Sequence, residues 1–185
     1  MKEGCCYCGN VQIKFCESNV ILALHCHCVD CQKYFGAKAS VLTMPSKTLE
    51  IYGETCTAAV IGGSGKKVIR HFCGECGTVI FNVPEFRPGY INLMVSTLND
   101  SSWVKFDFSI WTKFAPTWAK PSTDIVFPGP IPLEVLKTLP FLSVPYLYKD
   151  IVYFYLFIAD STLQIPAPLD ATKRKIKQYK AEISP

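Results

Sequence analysis

Seven of the ten cysteines fall into three tight groups, Cys6-Tyr7-Cys8-Gly9, Cys26-His27-Cys28-Val29-Asp30-Cys31 and Cys73-Gly74-Glu75-Cys76-Gly77. Thiols at such spacing do one kind of chemistry best, which is to bind metal. Thiolates are soft ligands that select Zn²⁺, Cu(I) or iron–sulfur clusters, and zinc is the ion expected here. The C-x-x-C-G group offers two ligands and the opening C-x-C-G group two more. Cys6, Cys8, Cys73 and Cys76 together make a closed tetrahedral site, the form a structural zinc takes, and metal binding there would contribute directly to folding.

The middle group is different, because it supplies only three thiols. A zinc held by Cys26, Cys28 and Cys31 either keeps an open position for a substrate, as catalytic zinc does, or is closed by a fourth ligand. Candidates for that fourth ligand are Cys56, Cys16, His27, His71 and Asp30. What the protein does turns on which alternative holds. Cys5, Cys16 and Cys56 otherwise read as ordinary small residues, with Cys5 able to stand in for Cys6. His25 and His27 flank ligands, which suits hydrogen bonding behind the metal or plain packing better than catalysis.

Strands must position these groups. Val11-Gln12-Ile13-Lys14-Phe15 alternates apolar and polar residues, the period of a half-buried strand, and Ile21-Leu22-Ala23-Leu24 delivers the chain into the middle cysteine group. A helical turn is expected over Gln32 to Gly36. Val41 to Met44 and Leu49 to Tyr52 resume the β pattern. Cys56 to Ile61 and Lys67 to Phe72 flank Gly62-Gly63-Ser64-Gly65, which reads as a hairpin turn and lacks the ending of a phosphate loop. Glycine follows the metal-binding pairs because the turns that aim amide N–H groups at sulfur need φ > 0. Thr78 to Phe81, Tyr90 to Val95 and Val104 to Ile110 are further strands, separated by turns at Pro88-Gly89 and Asn99-Asp100. No stretch of residues 1–127 keeps a helical period over ten positions, so the fold is expected to be mainly β. Trp103, Trp111 and Trp118 read as core residues.

At 185 residues, 49% hydrophobic and 18% charged, the chain suits one folded domain, or one domain and an appendage. The formal charge of +4 falls to about +1 when seven thiolates and two Zn²⁺ are counted, so a nucleic-acid partner is not implied. No run of 18 uncharged apolar residues occurs, and none of the chain is read as a membrane span. The amino terminus has no secretory apolar run, and the protein is expected in the reducing cytoplasm, with the nucleus as the alternative. Composition changes after Phe127, giving a domain over residues 1–127 and an extension of unassigned role over 128–185. Within the extension, Leu133 to Leu139 suits a short helix and Ile151 to Ile158 a strand that should pack on the domain or on a second copy in a homodimer. Asp170 could cap a basic terminal helix, Lys173 to Lys180, read as solvated rather than as a nucleic-acid patch.

With C-x-C-G, C-x-C-x-x-C and F-C-x-x-C-G in this order, the sequence resembles the glutathione-dependent formaldehyde-activating enzyme family, to which the centromere protein V domain also belongs. The resemblance covers roughly residues 4–127 and includes Gly36-Ala37 and Thr97-Leu98-Asn99-Asp100. It departs at Asn99, where Asp is common, and at Gln32, where Arg is. The resemblance implies a β-tent of small coiled antiparallel sheets, a structural zinc on Cys6, Cys8, Cys73 and Cys76, and a catalytic zinc on Cys26, Cys28 and Cys31. It also implies a carbon–sulfur lyase that adds the glutathione thiol to formaldehyde or a related small electrophile, with no catalytic residue beyond the metal ligands. The alternative from another class is a non-catalytic zinc-stapled module that binds chromatin or a protein partner.

Overall fold

The computed structural model describes residues 1–132, apart from Ser64, together with Val135. The chain divides into two units, Met1–Pro130 and Ile131–Pro185. Every described strand belongs to the first unit, as do both cysteine groups. The strand expected over Ile151 to Ile158 and the basic helix over Lys173 to Lys180 lie outside the described residues, as does the short helix over Leu133 to Leu139 apart from Val135.

The first unit is mainly β. Its elements are β1 (Lys2–Cys5), β2 (Gln12–Phe15), β3 (Leu22–Cys26), α1 (Val29–Phe35), β4 (Ala39–Pro45), β5 (Glu50–Tyr52), β6 (Thr55–Ile61), β7 (Lys67–Cys73), β8 (Val79–Pro84), β9 (Tyr90–Met94) and β10 (Phe108–Ile110). They form a three-stranded sheet in the order β1-β2-β5 and a seven-stranded sheet in the order β10-β3-β4-β9-β8-β7-β6. The pairings are antiparallel except at one edge, where β10 runs parallel to β3. That edge also shows why the strand expected over Val104 to Ile110 is shorter than its apolar pattern: Phe106 leaves the ladder to stack on His25, with ring centroids 3.7 Å apart. β1 lies outside the expected strands because Lys2-Glu3-Gly4-Cys5 carries no apolar alternation.

Alternation along β2 sends Ile13 and Phe15 inward and leaves Gln12 exposed. They meet Ala23, Leu42, Met44, Phe81, Ile91 and Leu93 from one face of the large sheet, and this layer between the sheets is the core. Cys6 and Cys73 belong to the same buried cluster. Trp103 packs against the core, whereas Trp118, expected inside, is 75% exposed. Pro116 and Pro121 bracket Trp118, and its segment, Thr117 to Lys120, lies outside every described strand, so among the described residues no layer covers the ring.

Candidate metal centres

Two knuckles bring Cys6, Cys8, Cys73 and Cys76 together. In the β1–β2 turn, Cys6 N–H donates to the Val11 carbonyl at 2.8 Å and Gly9 N–H to the Cys6 carbonyl at 3.0 Å, while Val11 N–H points at Cys6 Sγ at 3.2 Å. In the β7–β8 turn, Gly77 N–H donates to the Cys73 carbonyl at 2.9 Å. Both turns need a left-handed residue and both have glycine there, with φ of 82° at Gly9 and 73° at Gly77. The Sγ atoms of Cys6 and Cys8 are 3.4 Å apart and those of Cys8 and Cys73 3.6 Å. A tetrahedral zinc with bonds of about 2.3 Å sets its sulfurs about 3.8 Å apart, so the four thiols fit the ion. All ten cysteines are free thiols.

Cys26, Cys28 and Cys31 form the second group, their Sγ atoms within 4.8 Å of one another. Local geometry builds it without help from distant chain. Cys26 ends β3, Cys28 caps α1 with its sulfur accepting the Cys31 N–H at 3.4 Å, and Cys31 sits in the first turn of the helix. The C-x-x-C spacing thus becomes a cap and the residue three after it, which lie side by side. The helix begins at Val29, three residues before the expected turn, because this cap starts it. Gln32, where the family commonly has Arg, donates through Nε2 to the His27 and Phe114 carbonyls, each at 2.7 Å, and so ties the helix to the chain beyond β10.

The three thiols of this group do not ionise independently. Contacts with Cys26 and then Cys31 hold the Cys28 thiol down to about 3, while contact with Cys28 pushes Cys26 up to about 12, and Cys26 and Cys28 push Cys31 up. One thiolate is stabilised by two neighbouring thiols, and a second negative charge is resisted. A cation held among them would let all three ionise, with release of protons as it binds. In the four-thiol group the Thr78 hydroxyl, 3.2 Å away, helps to hold Cys76 down to about 5.

None of the candidates for a fourth donor joins the three thiols among the described residues. Cys56 lies on β6 beside the other centre, where a Cβ on Gly74 would meet its sulfur at 3.0 Å. The Cys16 sulfur sits 3.3 Å from the Met1 sulfur. His71 binds the Thr55 hydroxyl through Nδ1 at 3.1 Å and stacks on Phe81. His27 is fully buried with neither ring nitrogen hydrogen-bonded. His25 bonds Ser40 Oγ at 2.9 Å, and burial holds it down to about 4, so it is neutral at pH 7. Asp30 remains close without joining: a Cβ on Gly63 would meet Cys28 Sγ at 3.4 Å and Asp30 Oδ2 at 3.6 Å. The glycine turn read as an ordinary hairpin end therefore borders the three-thiol group, which sequence spacing alone does not reveal.

A family model described as glutathione-dependent formaldehyde-activating enzyme matches residues 1–114. The chain belongs to that family. The family's chemistry is of the carbon–sulfur lyase type, and both cysteine groups in this member can hold a metal ion. No curated protein matches this chain. Among solved structures, the crystal structure of a Rhodobacter sphaeroides protein is 22% identical with a TM-score of 0.41, over 52% of this chain and 87% of the other. Among the described residues no helix is long and apolar enough to cross a membrane.

Proposed function

We propose that this member of the family is a zinc-dependent carbon–sulfur lyase that joins the glutathione thiol to formaldehyde, giving S-hydroxymethylglutathione, and catalyses the reverse cleavage. The observation that carries this reading is the three-thiol group with no fourth protein donor among the described residues, beside a four-thiol group that is complete. Cys26, Cys28 and Cys31 would hold the zinc, and its chemistry there would be to keep a thiol deprotonated at neutral pH. Three thiolates donate enough charge that holding a soft sulfur suits this donor set better than polarising an aldehyde oxygen would.

The protein's own groups do the rest. Cys6, Cys8, Cys73 and Cys76 would hold the second, structural zinc. Beyond the metal ligands, to which the resemblance confined catalysis, Asp30 shares the surroundings of Gly63 with Cys28, and in this reading it accepts the proton as the substrate thiol ionises and returns it to the oxygen of the adduct. One carbon–sulfur bond forms, the carbonyl π bond breaks, and the proton passes from sulfur to oxygen.

Exchange between glutathione, formaldehyde and their adduct, followed by NMR, tests the reading. Protein that carries two zinc ions should accelerate the exchange, and Cys28→Ser protein should not. A fully zinc-loaded wild type that leaves the rate at its uncatalysed value would overturn it.

A further inference from the structure

Arg70 takes no part in the proton and sulfur chemistry at the three-thiol group, yet it is the charged group most in need of a role. Its side chain on β7 is 4% exposed, and its Nε and Nη1 are enclosed without a hydrogen-bond partner. Among the described residues no carboxylate lies against it; the ion pairs Lys2–Glu17 and Lys14–Glu3 lie on other elements. Arginine cannot shed its proton, and a buried charge without acceptors is costly. The position is nevertheless held firmly, because the guanidinium stacks on Tyr34 with Cζ 3.3 Å from the ring centroid. Stacking uses the face of the guanidinium and leaves its in-plane N–H groups for an acceptor.

Two features connect this site to the three-thiol group. Tyr34 follows Cys31 by three residues on α1, so their Cβ atoms are about 5–6 Å apart on one side of the helix. Sheet register gives the second connection. Arg70 is paired with Asn82, Asn82 with Asn92, Asn92 with Thr43 and Thr43 with Leu22. Paired residues share a face, and alternation along β3 carries that face from Leu22 to Cys26. Arg70 and Cys26 therefore emerge on the same side of the seven-stranded sheet, four strands apart, and Tyr34 meets Arg70 from the helix that carries Cys31. Asn82, on that side, is also buried, with Oδ1 lacking a donor. A planar anion beside an N–H donor would satisfy both side chains.

We infer that Arg70 is the carboxylate anchor of the thiol substrate, gripping it through the guanidinium edge while the sulfur occupies the three-thiol centre and Asn82 Oδ1 accepts an N–H of the same molecule. This rests on the proposed open zinc site and adds a specificity-determining residue: among thiols, those that also carry a carboxylate are favoured. A carboxylate matches the arginine fork with two parallel bonds, which an ester or a hydroxyl cannot reproduce.

Cobalt-substituted protein tests the anchor, since each added thiolate strengthens the sulfur-to-metal charge-transfer band. Titrations would compare glutathione with its diethyl ester and with 2-mercaptoethanol. Wild type should bind glutathione at least about ten-fold more tightly than the ester. Arg70→Gln and Arg70→Lys should lose that preference while keeping their affinity for 2-mercaptoethanol. Equal affinity of wild type for glutathione and its ester, a comparison that needs no variant to fold, would overturn the anchor alone. So would variants that weaken all three thiols alike. Wild type that binds none of the three would overturn the open site as well.

Discussion

The two cysteine groups use the same ligand and differ in what they join. One gathers the β1–β2 turn and the β7–β8 turn, with Cys8 and Cys73 65 positions apart in sequence, and so ties the small sheet to the large one at the edge of the core. The other closes a loop of a few residues between the end of β3 and the first turn of α1. By the loop-closure arithmetic used for cross-links, a tie across about 65 residues is worth roughly 4 kcal/mol and one across about five residues roughly 2 kcal/mol. A metal cross-link between distant turns would serve folding, whereas a short local one would leave the scaffold largely indifferent to its metal. On the proposed reading, the same thiol chemistry takes different roles according to sequence separation.

Substitutions can break this contrast. Cys73→Ser should cost the most, roughly 2–5 kcal/mol of stability with loss of both zinc ions and of soluble protein. Thermal unfolding and metal content measure it, and a variant with unchanged melting temperature would remove the distinction. Cys28→Ser should stay folded with one zinc per chain while exchange slows roughly 1000-fold, the several kcal/mol a lost metal centre represents. Asp30→Asn should retain both zinc ions and lose about 100-fold in rate, the range of a proton-transfer group. A variant with the wild-type rate would return Asp30 to being a solvated carboxylate. Gly63→Ala should have the smallest effect, a few-fold rise in KM, because the new Cβ would lie 3.3 Å from Cys28 Cβ and 3.4 Å from its sulfur and need only a small shift. Stepwise chelation sharpens the comparison further. The three-thiol centre should release its metal first, with activity lost before the circular dichroism changes.

The grouping of the cysteines was legible in the sequence because the spacing within each motif is local. C-x-C and C-x-x-C bring thiols together whatever the rest of the chain does, and Gly9 and Gly77 mark the turns that hold them. The hairpin of β6 and β7 was legible for the same reason. Contacts set by register across many strands were not. Gly63 read as a turn residue, and only the tertiary fold brings it to Cys28. Arg70 interrupts the apolar run Val68-Ile69-Arg70-His71-Phe72, a local signal of a buried charge, but its place on the face of Cys26 depends on four strand pairings. The parallel β10–β3 edge and β1 carry no alternation from which they could be read. Trp118, apolar enough for a core, ended between prolines in a segment that no described layer covers.

Zinc-edge X-ray absorption, before and after glutathione is added, tests the unequal pair of centres most directly. Protein with both sites filled should show about 3.5 sulfurs per zinc alone, the average of four and three, and about four once the thiol binds. A count of four before glutathione, or one that does not rise on its addition, would contradict an open second centre.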